Sequence, residues 1–151
     1  MNTDIKDFLE KAASGVLATL DFEGAPYSVP VHFVYVNEKI YIHSNKTGEK
    51  ISNICHDPRV CFTAYRMDEL LFNADIKSPC RVNTKYQSVV VKGRASLVEN
   101  ITIKREILKA IVEKYTPELA DLPMPEAAVR QTAVIEITPV CCTEKYYPKK
   151  D

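Results

Sequence analysis

The chain has 151 residues, 46% hydrophobic and 26% charged, and its 20 basic and 20 acidic side chains cancel to a formal net charge of zero. That length predicts one domain, 1–151, with a core large enough to fold without covalent or metal staples. Balanced charge argues against a nucleic-acid binder, which carries a basic excess, and no apolar run approaches the length of a membrane span. The N-terminal stretch MNTDIKDFLEKAASG is amphipathic and of mixed charge, without an apolar signal core, so a cytoplasmic location is expected. The cysteines, Cys55, Cys61, Cys80, Cys141 and Cys142, are odd in number and lack framework spacing. Free thiols are expected.

Asp4 is placed to cap a first helix over Ile5–Ala13, with Ile5, Phe8, Leu9 and Ala12 at helical spacing and Gly15 as a stop. Gly15–Leu20 reads as a strand, and Asp21–Gly24 as a turn. Tyr27–Val36 reads as one strand, with Tyr27, Val29, Val31, Phe33 and Tyr35 on one face. Pro30 has no backbone donor, which predicts an edge or an irregularity there. A hairpin through Asn37-Glu38-Lys39 leads into a strand at Ile40–Ser44. A short helix is predicted over Thr47–Cys55, with Thr47 as N-cap, Ile51 and Ile54 as its apolar stripe and Asp57-Pro58 as its end.

Arg59–Tyr65 is the next strand, and 67–84 reads as a strand extension plus a long loop. In the strand Gln87–Val98, Val89, Val91, Gly93, Ala95 and Leu97 share a face, and Gly93 marks a bulge or bend. A helix over Ile103–Tyr115 follows, then a Pro-rich connection, a helical turn at Glu126–Gln131 and a last strand at Ala133–Ile137. Tyr146–Asp151 reads as a polar tail. About six antiparallel strands with flanking helices make a mainly β chain, a small β-barrel.

Lys50 lies one turn into a helix that begins beside a strand end, and helix N-termini attract anions. With Ser44 and Thr47 it makes a candidate phosphate site; a solvated lysine and a simple cap fit the spacing equally. His43 sits on the face of its strand shared with Tyr41, suited to a ligand ring or to proton transfer near neutral pH, or to simple packing. His32 and His56 are weaker candidates. The three histidines share no metal-ligand spacing with one another or with cysteine, so no metal site is expected. Cys141-Cys142 reads as two ordinary small thiols.

The runs GVLATLDFEGAPYSVPVHFVY, IYIHSNKTGEKISNI and DPRVCF, in that order, resemble the pyridoxamine 5′-phosphate oxidase-like FMN-binding split-barrel superfamily. The later run CRVNTKYQSVVVKGRASLVE, with its KYxSVxxxGxA pattern, resembles the branch containing the Nim-type 5-nitroimidazole resistance proteins. The resemblance spans about Gly15–Glu99. It implies a six-stranded split barrel, a homodimer, and FMN at the subunit interface. It places Val29, Pro30, Val31 and His32 against the flavin ring, and His43, Ser44, Thr47 and Lys50 around the ribityl phosphate. It brings Ser88 to the flavin from the other subunit and links His43 to activity. Where that branch usually carries an aromatic before the KYxSV run, this chain has Arg81-Val82-Asn83-Thr84, and the basic C-terminal motif of true pyridoxamine phosphate oxidases is absent. The resemblance thus implies an FMN-dependent oxidoreductase of nitroreductase-like type, with small-molecule electron donor and acceptor. A flavin-binding carrier or sensor, or a dimer holding a deazaflavin or haem, are the alternatives.

Overall fold

The structure is a computed structural model that describes residues 3–148. Helix α1 (Thr3–Lys11) leads into β1 (Gly15–Leu20), β2 (Pro26–Val31), β3 (Val34–Val36) and β4 (Lys39–Asn45). Helix α2 (Glu49–His56) follows, then the long strands β5 (Arg59–Leu71) and β6 (Asn83–Leu97), helix α3 (Ile101–Tyr115), the short α4 (Glu126–Gln131) and β7 (Thr132–Tyr147). The strands form one antiparallel sheet in the order β2-β1-β5-β6-β7-β4-β3.

The edge strands β2 and β3 are separated in sequence by His32 and Phe33 alone. Two residues cannot reach across a flat sheet of seven strands, each pair about 4.8 Å apart. The sheet therefore curls until its edges nearly meet, and the result is a split barrel. The strand count is seven rather than six, because the stretch expected as one strand, Tyr27–Val36, breaks at His32–Phe33. Period-two alternation persists through the break, with Phe33 fully buried, so the pattern alone does not reveal it.

The barrel interior holds Leu17, Phe33, Ile40, Ile42, Phe62, Val89, Val91, Ile135 and Ile137, closed at one end by Ile51 and Ile54 of α2 and by Phe8 and Leu9 of α1. Buried Asn53 of α2 donates to Thr19 Oγ1 of β1 at 3.0 Å, satisfying two polar groups in that core. A second cluster packs α3 and α4 (Ile107, Leu108, Ile111, Val129) on the outer face of β3, β4 and β7.

Asn37 and Glu38 both take positive φ, 50° and 64°, as a tight hairpin between right-twisted strands requires. β7 is far longer than the expected Ala133–Ile137 and takes in Tyr146 and Tyr147; residues 149–151 of the expected tail lie outside the described residues. The register of β6 with β7 skips Val140, from Lys92↔Cys141 to Gly93↔Pro139. This is the bulge expected at Gly93, and it flips which residues of β7 face inward. The five cysteines are free. No helix among the described residues is long and apolar enough to cross a membrane.

A Cβ at Gly93 would lie 2.5 Å from the Thr138 carbonyl oxygen, a backbone atom that cannot yield without opening the ladder. Gly93→Ala is expected to cost about 1–3 kcal/mol, the usual range for overpacking. Urea unfolding checks this, and an unchanged midpoint would contradict the close approach.

Candidate functional site

Strand β4 carries the site. Its side chains alternate, so Ile40 and Ile42 enter the barrel core while Tyr41 packs beneath α3. Ser44 follows the inward set and His43 the α3 side. Ser44 is buried, and its hydroxyl has no hydrogen-bond partner among the described residues. An unmade bond of that kind costs about 1–3 kcal/mol, so the hydroxyl is suited to a ligand.

After Asn45 the chain turns through Lys46-Thr47-Gly48 into α2. Gly48 takes φ 128° and ψ 165°, a region open essentially to glycine. Gly48, not Thr47, is the N-cap, and no side chain caps the helix. Thr47 is exposed in the loop, so its expected capping role is corrected. The extended Gly48 backbone carries the cap position one residue further along. The first amides of α2 thus remain open to an incoming anion. Lys50 is half-buried beside them and makes no ion pair or side-chain hydrogen bond among the described residues.

His43 and His32 line one pocket of about 480 Å³ between β4, α3 and α4, walled by Leu108, Ile111, Val129 and Tyr115. The His32 ring stacks on Tyr115, centroids 4.2 Å apart and planes at 16°. The Tyr115 hydroxyl accepts from the Phe33 N–H at 3.0 Å and donates to the Phe33 carbonyl at 2.9 Å. Although His43 is open to solvent on one side, desolvation by the pocket wall pushes its pKa below the usual 6.5, and the positive charges of His32 and Lys50 add to this. Lys114 lies over the Phe33 ring, 4.1 Å from its centroid, and burial pulls its pKa down to about 8.

Val29, Pro30 and Val31 belong to edge strand β2, whose outer rim has no strand neighbour. Val29 and Val31 are half-buried and Pro30 is exposed. Ser88 lies elsewhere, on an arm where β5, β6 and β7 run on together, paired with Tyr65 and Lys145. His56 packs on Phe22, rings 4.4 Å apart. Burial raises the Cys142 thiol, which disfavours a reactive thiolate. Tyr115 was not singled out from the sequence. Its only signal is an aromatic at the end of a helical apolar row.

A family model described as pyridoxamine 5′-phosphate oxidase matches residues 2–145. The chain belongs to that family. No curated protein sequence matches it. Among solved structures, a candidate 5-nitroimidazole antibiotic resistance protein from Bacteroides thetaiotaomicron superposes with a TM-score of 0.81 at 25% identity, covering 95% of this chain and 82% of that one. The flavocytochrome Anf3 of Azotobacter vinelandii gives 0.84 at 22% identity, covering 98% and 68%. An FAD- and haem-binding protein of Mycobacterium smegmatis gives 0.86 at 16% identity, covering 100% and 74%. The resemblance to the Nim-type branch is thus matched in three dimensions, and the family's split-barrel fold accounts for the whole described chain.

A depressed folded-state pKa means that the folded state favours neutral His43. Its contribution to stability is present above the unfolded value of 6.5 and is lost as pH falls below it. An NMR titration of the imidazole is expected to give a midpoint below 6.5, moving up in Lys50→Gln. A midpoint above 6.5 would contradict the pocket's electrostatics.

Proposed function

We propose that this protein is an FMN-dependent oxidoreductase, of nitroreductase-like type, with its flavin held at the interface of a homodimer. One observation carries the reading: the unpartnered, buried Ser44 hydroxyl stands beside an uncapped helix N-terminus and an unpaired lysine. The three together supply a donor, open amides and a cation, the chemistry a phosphate monoester requires. Bound there, FMN would supply an electron-carrying ring. In this reading Ser44, Thr47 and Lys50 bind the phosphate, and the exposed rim of β2 at Val29–His32 borders the ring. His43 moves a proton or orients the electron acceptor. The names of the similar proteins, a flavocytochrome and an FAD- and haem-binding protein, support a flavin. FMN is favoured because the phosphate site is compact and the chain has no GxGxxG loop. Family membership does not carry vitamin B6 oxidation with it, since fold and chemistry separate readily.

The dimer is supported by the arm. Tyr65, Met67, Tyr86 and Tyr147 are cross-strand neighbours there, and Met67 and Tyr65 are 70% and 55% exposed. Paired with Tyr65, Ser88 shares that face, so a partner covering the arm would meet Ser88. Small-molecule donor and acceptor and a cytoplasmic setting complete the proposal.

Lys50→Ala is expected to weaken FMN binding about ten- to a hundredfold, the worth of one charge-assisted phosphate contact. Titration by flavin fluorescence reads this. His43→Ala should retain most of the FMN affinity while slowing reduction of a nitroaromatic by about 10²-fold or more, measured by stopped flow. Mass spectrometry that recovers FAD, or no flavin after reconstitution, would overturn the cofactor assignment.

Sedimentation is expected to give a dimer, and Met67→Asp on the exposed arm to shift it toward monomer with loss of flavin. A flavin-loaded monomer would contradict the shared site.

A further inference from the structure

Helix α3 buries a lysine. Lys104 is 7% exposed, yet it forms no ion pair among the described residues. It occupies the row Lys104, Leu108, Ile111, Tyr115, spaced by three and four residues, and the last three line the pocket that holds His43 and His32. Lys104 therefore stands on the same helix row one turn beyond Leu108, next to the pocket's lining rather than in it. Two further cations converge on it. The register Asn45↔Thr132 sets Lys46 beside the end of α4, which carries Arg130, and both depress the Lys104 pKa after desolvation does. Glu99 opposes them without reaching ion-pair contact, and Arg130 is shared with Glu126 on an exposed turn.

We propose that Lys104, Lys46 and Arg130 form an anion-binding head to the apolar pocket, and that pocket and head together take a planar organic acid distinct from the flavin. The pocket, at about 480 Å³, has the size and apolar lining of a small-molecule site. A carboxylate, sulfonate or phosphate at the head pairs with the Lys104 ammonium, and the flat body fills the space between β4 and the helices. Calling this acid the flavin's reaction partner rests on the flavin reading; the site itself does not.

The test uses the full chain without added flavin and two fluorescent probes. The first is 1-anilinonaphthalene-8-sulfonate, aromatic with one anionic group. The second is N-phenyl-1-naphthylamine, the same body without the charge. Lys104→Met is expected to weaken the sulfonate about ten- to a hundredfold and to leave the neutral probe within about twofold, with Lys104→Arg restoring most of the loss. Ala128→Trp, which fills the pocket, should abolish both. Should Lys104→Met fail to fold, the exposed pair Lys46→Gln with Arg130→Gln is expected to cost the sulfonate about tenfold. The proposal is overturned by sulfonate binding that ignores these charge changes, by parallel loss of the neutral probe, or by indifference to Ala128→Trp. FMN and FAD affinities of Lys104→Met are expected to stay unchanged; selective loss of FAD would assign the cluster to a second cofactor phosphate and overturn a separate acid. A wild-type chain that binds no flavin yet shows the probe pattern would sink the flavin reading alone.

Discussion

The barrel depends on what happens at Phe33. Strands β2 and β3 are the two edges of the sheet, and the chain passes from one to the other through His32 and Phe33. At that seam Phe33 lies in neither strand, so its N–H and C=O have no ladder to join, although its side chain is fully buried. Orphaned backbone groups in such a place are costly. The Tyr115 hydroxyl satisfies both at once, accepting from one and donating to the other. The last turn of α3 is thereby tied to the seam. Its ring, stacked on His32, fixes the orientation of an imidazole that faces the pocket. Lys114 adds a cation over Phe33 and a hydrogen bond to the Leu9 carbonyl at 3.4 Å, so α1 is joined to the same point. Closure of the barrel and shaping of the pocket are one structural event.

This explains how far the fold was legible. Alternation located most strands because one face of each is buried, and Gly93 announced its bulge because no other residue fits against Thr138. Pro30 correctly marked an edge, since an edge strand has no ladder to lose on one side. The seam stayed hidden because Tyr27, Val29, Val31, Phe33 and Tyr35 keep period two while the backbone changes partners. The second half of β7 stayed hidden for the opposite reason. Beyond Val140 the strand leaves the barrel core after Cys142 and runs out along the arm, and its inward set Cys142, Glu144 and Tyr146 is too polar to read as an apolar face.

The site was legible where it rests on local chemistry. Ser44, Thr47, Gly48 and Lys50 lie within one strand-to-helix turn, and the turn brings them together whatever the rest of the chain does. The helix cap lies one residue later than expected, because the positive φ of Gly48 is a backbone fact that a threonine beside it obscures. Tyr115 and Lys104 are a different case. Each acts through tertiary contacts with segments far away in sequence, and a tyrosine or lysine on an amphipathic helix ordinarily reads as boundary or surface.

Lys104 and Ser44 share a physical character although they stand on different elements. Ser44 on β4 is a buried hydroxyl without a hydrogen-bond partner among the described residues, and Lys104 on α3 is a largely buried lysine that forms no ion pair among them. Elsewhere this chain pairs many of its charges, within a turn as in Arg59 with Asp57 or across strands as in Lys39 with Glu136 and Lys85 with Glu69. Replacing either group by an apolar residue of similar shape would relieve a desolvation cost. Among the described residues the buried hydroxyls without a partner are Ser44, at the loop Ser44–Lys50, and Tyr35, which lies near Lys6 and Glu38. In the proposed readings Ser44 and Lys50 meet a phosphate and Lys104 meets a second anion. The pocket that holds His43 opens on the α3 side of β4, where the proposed acid would lie, while Ser44 faces the barrel side of the same strand.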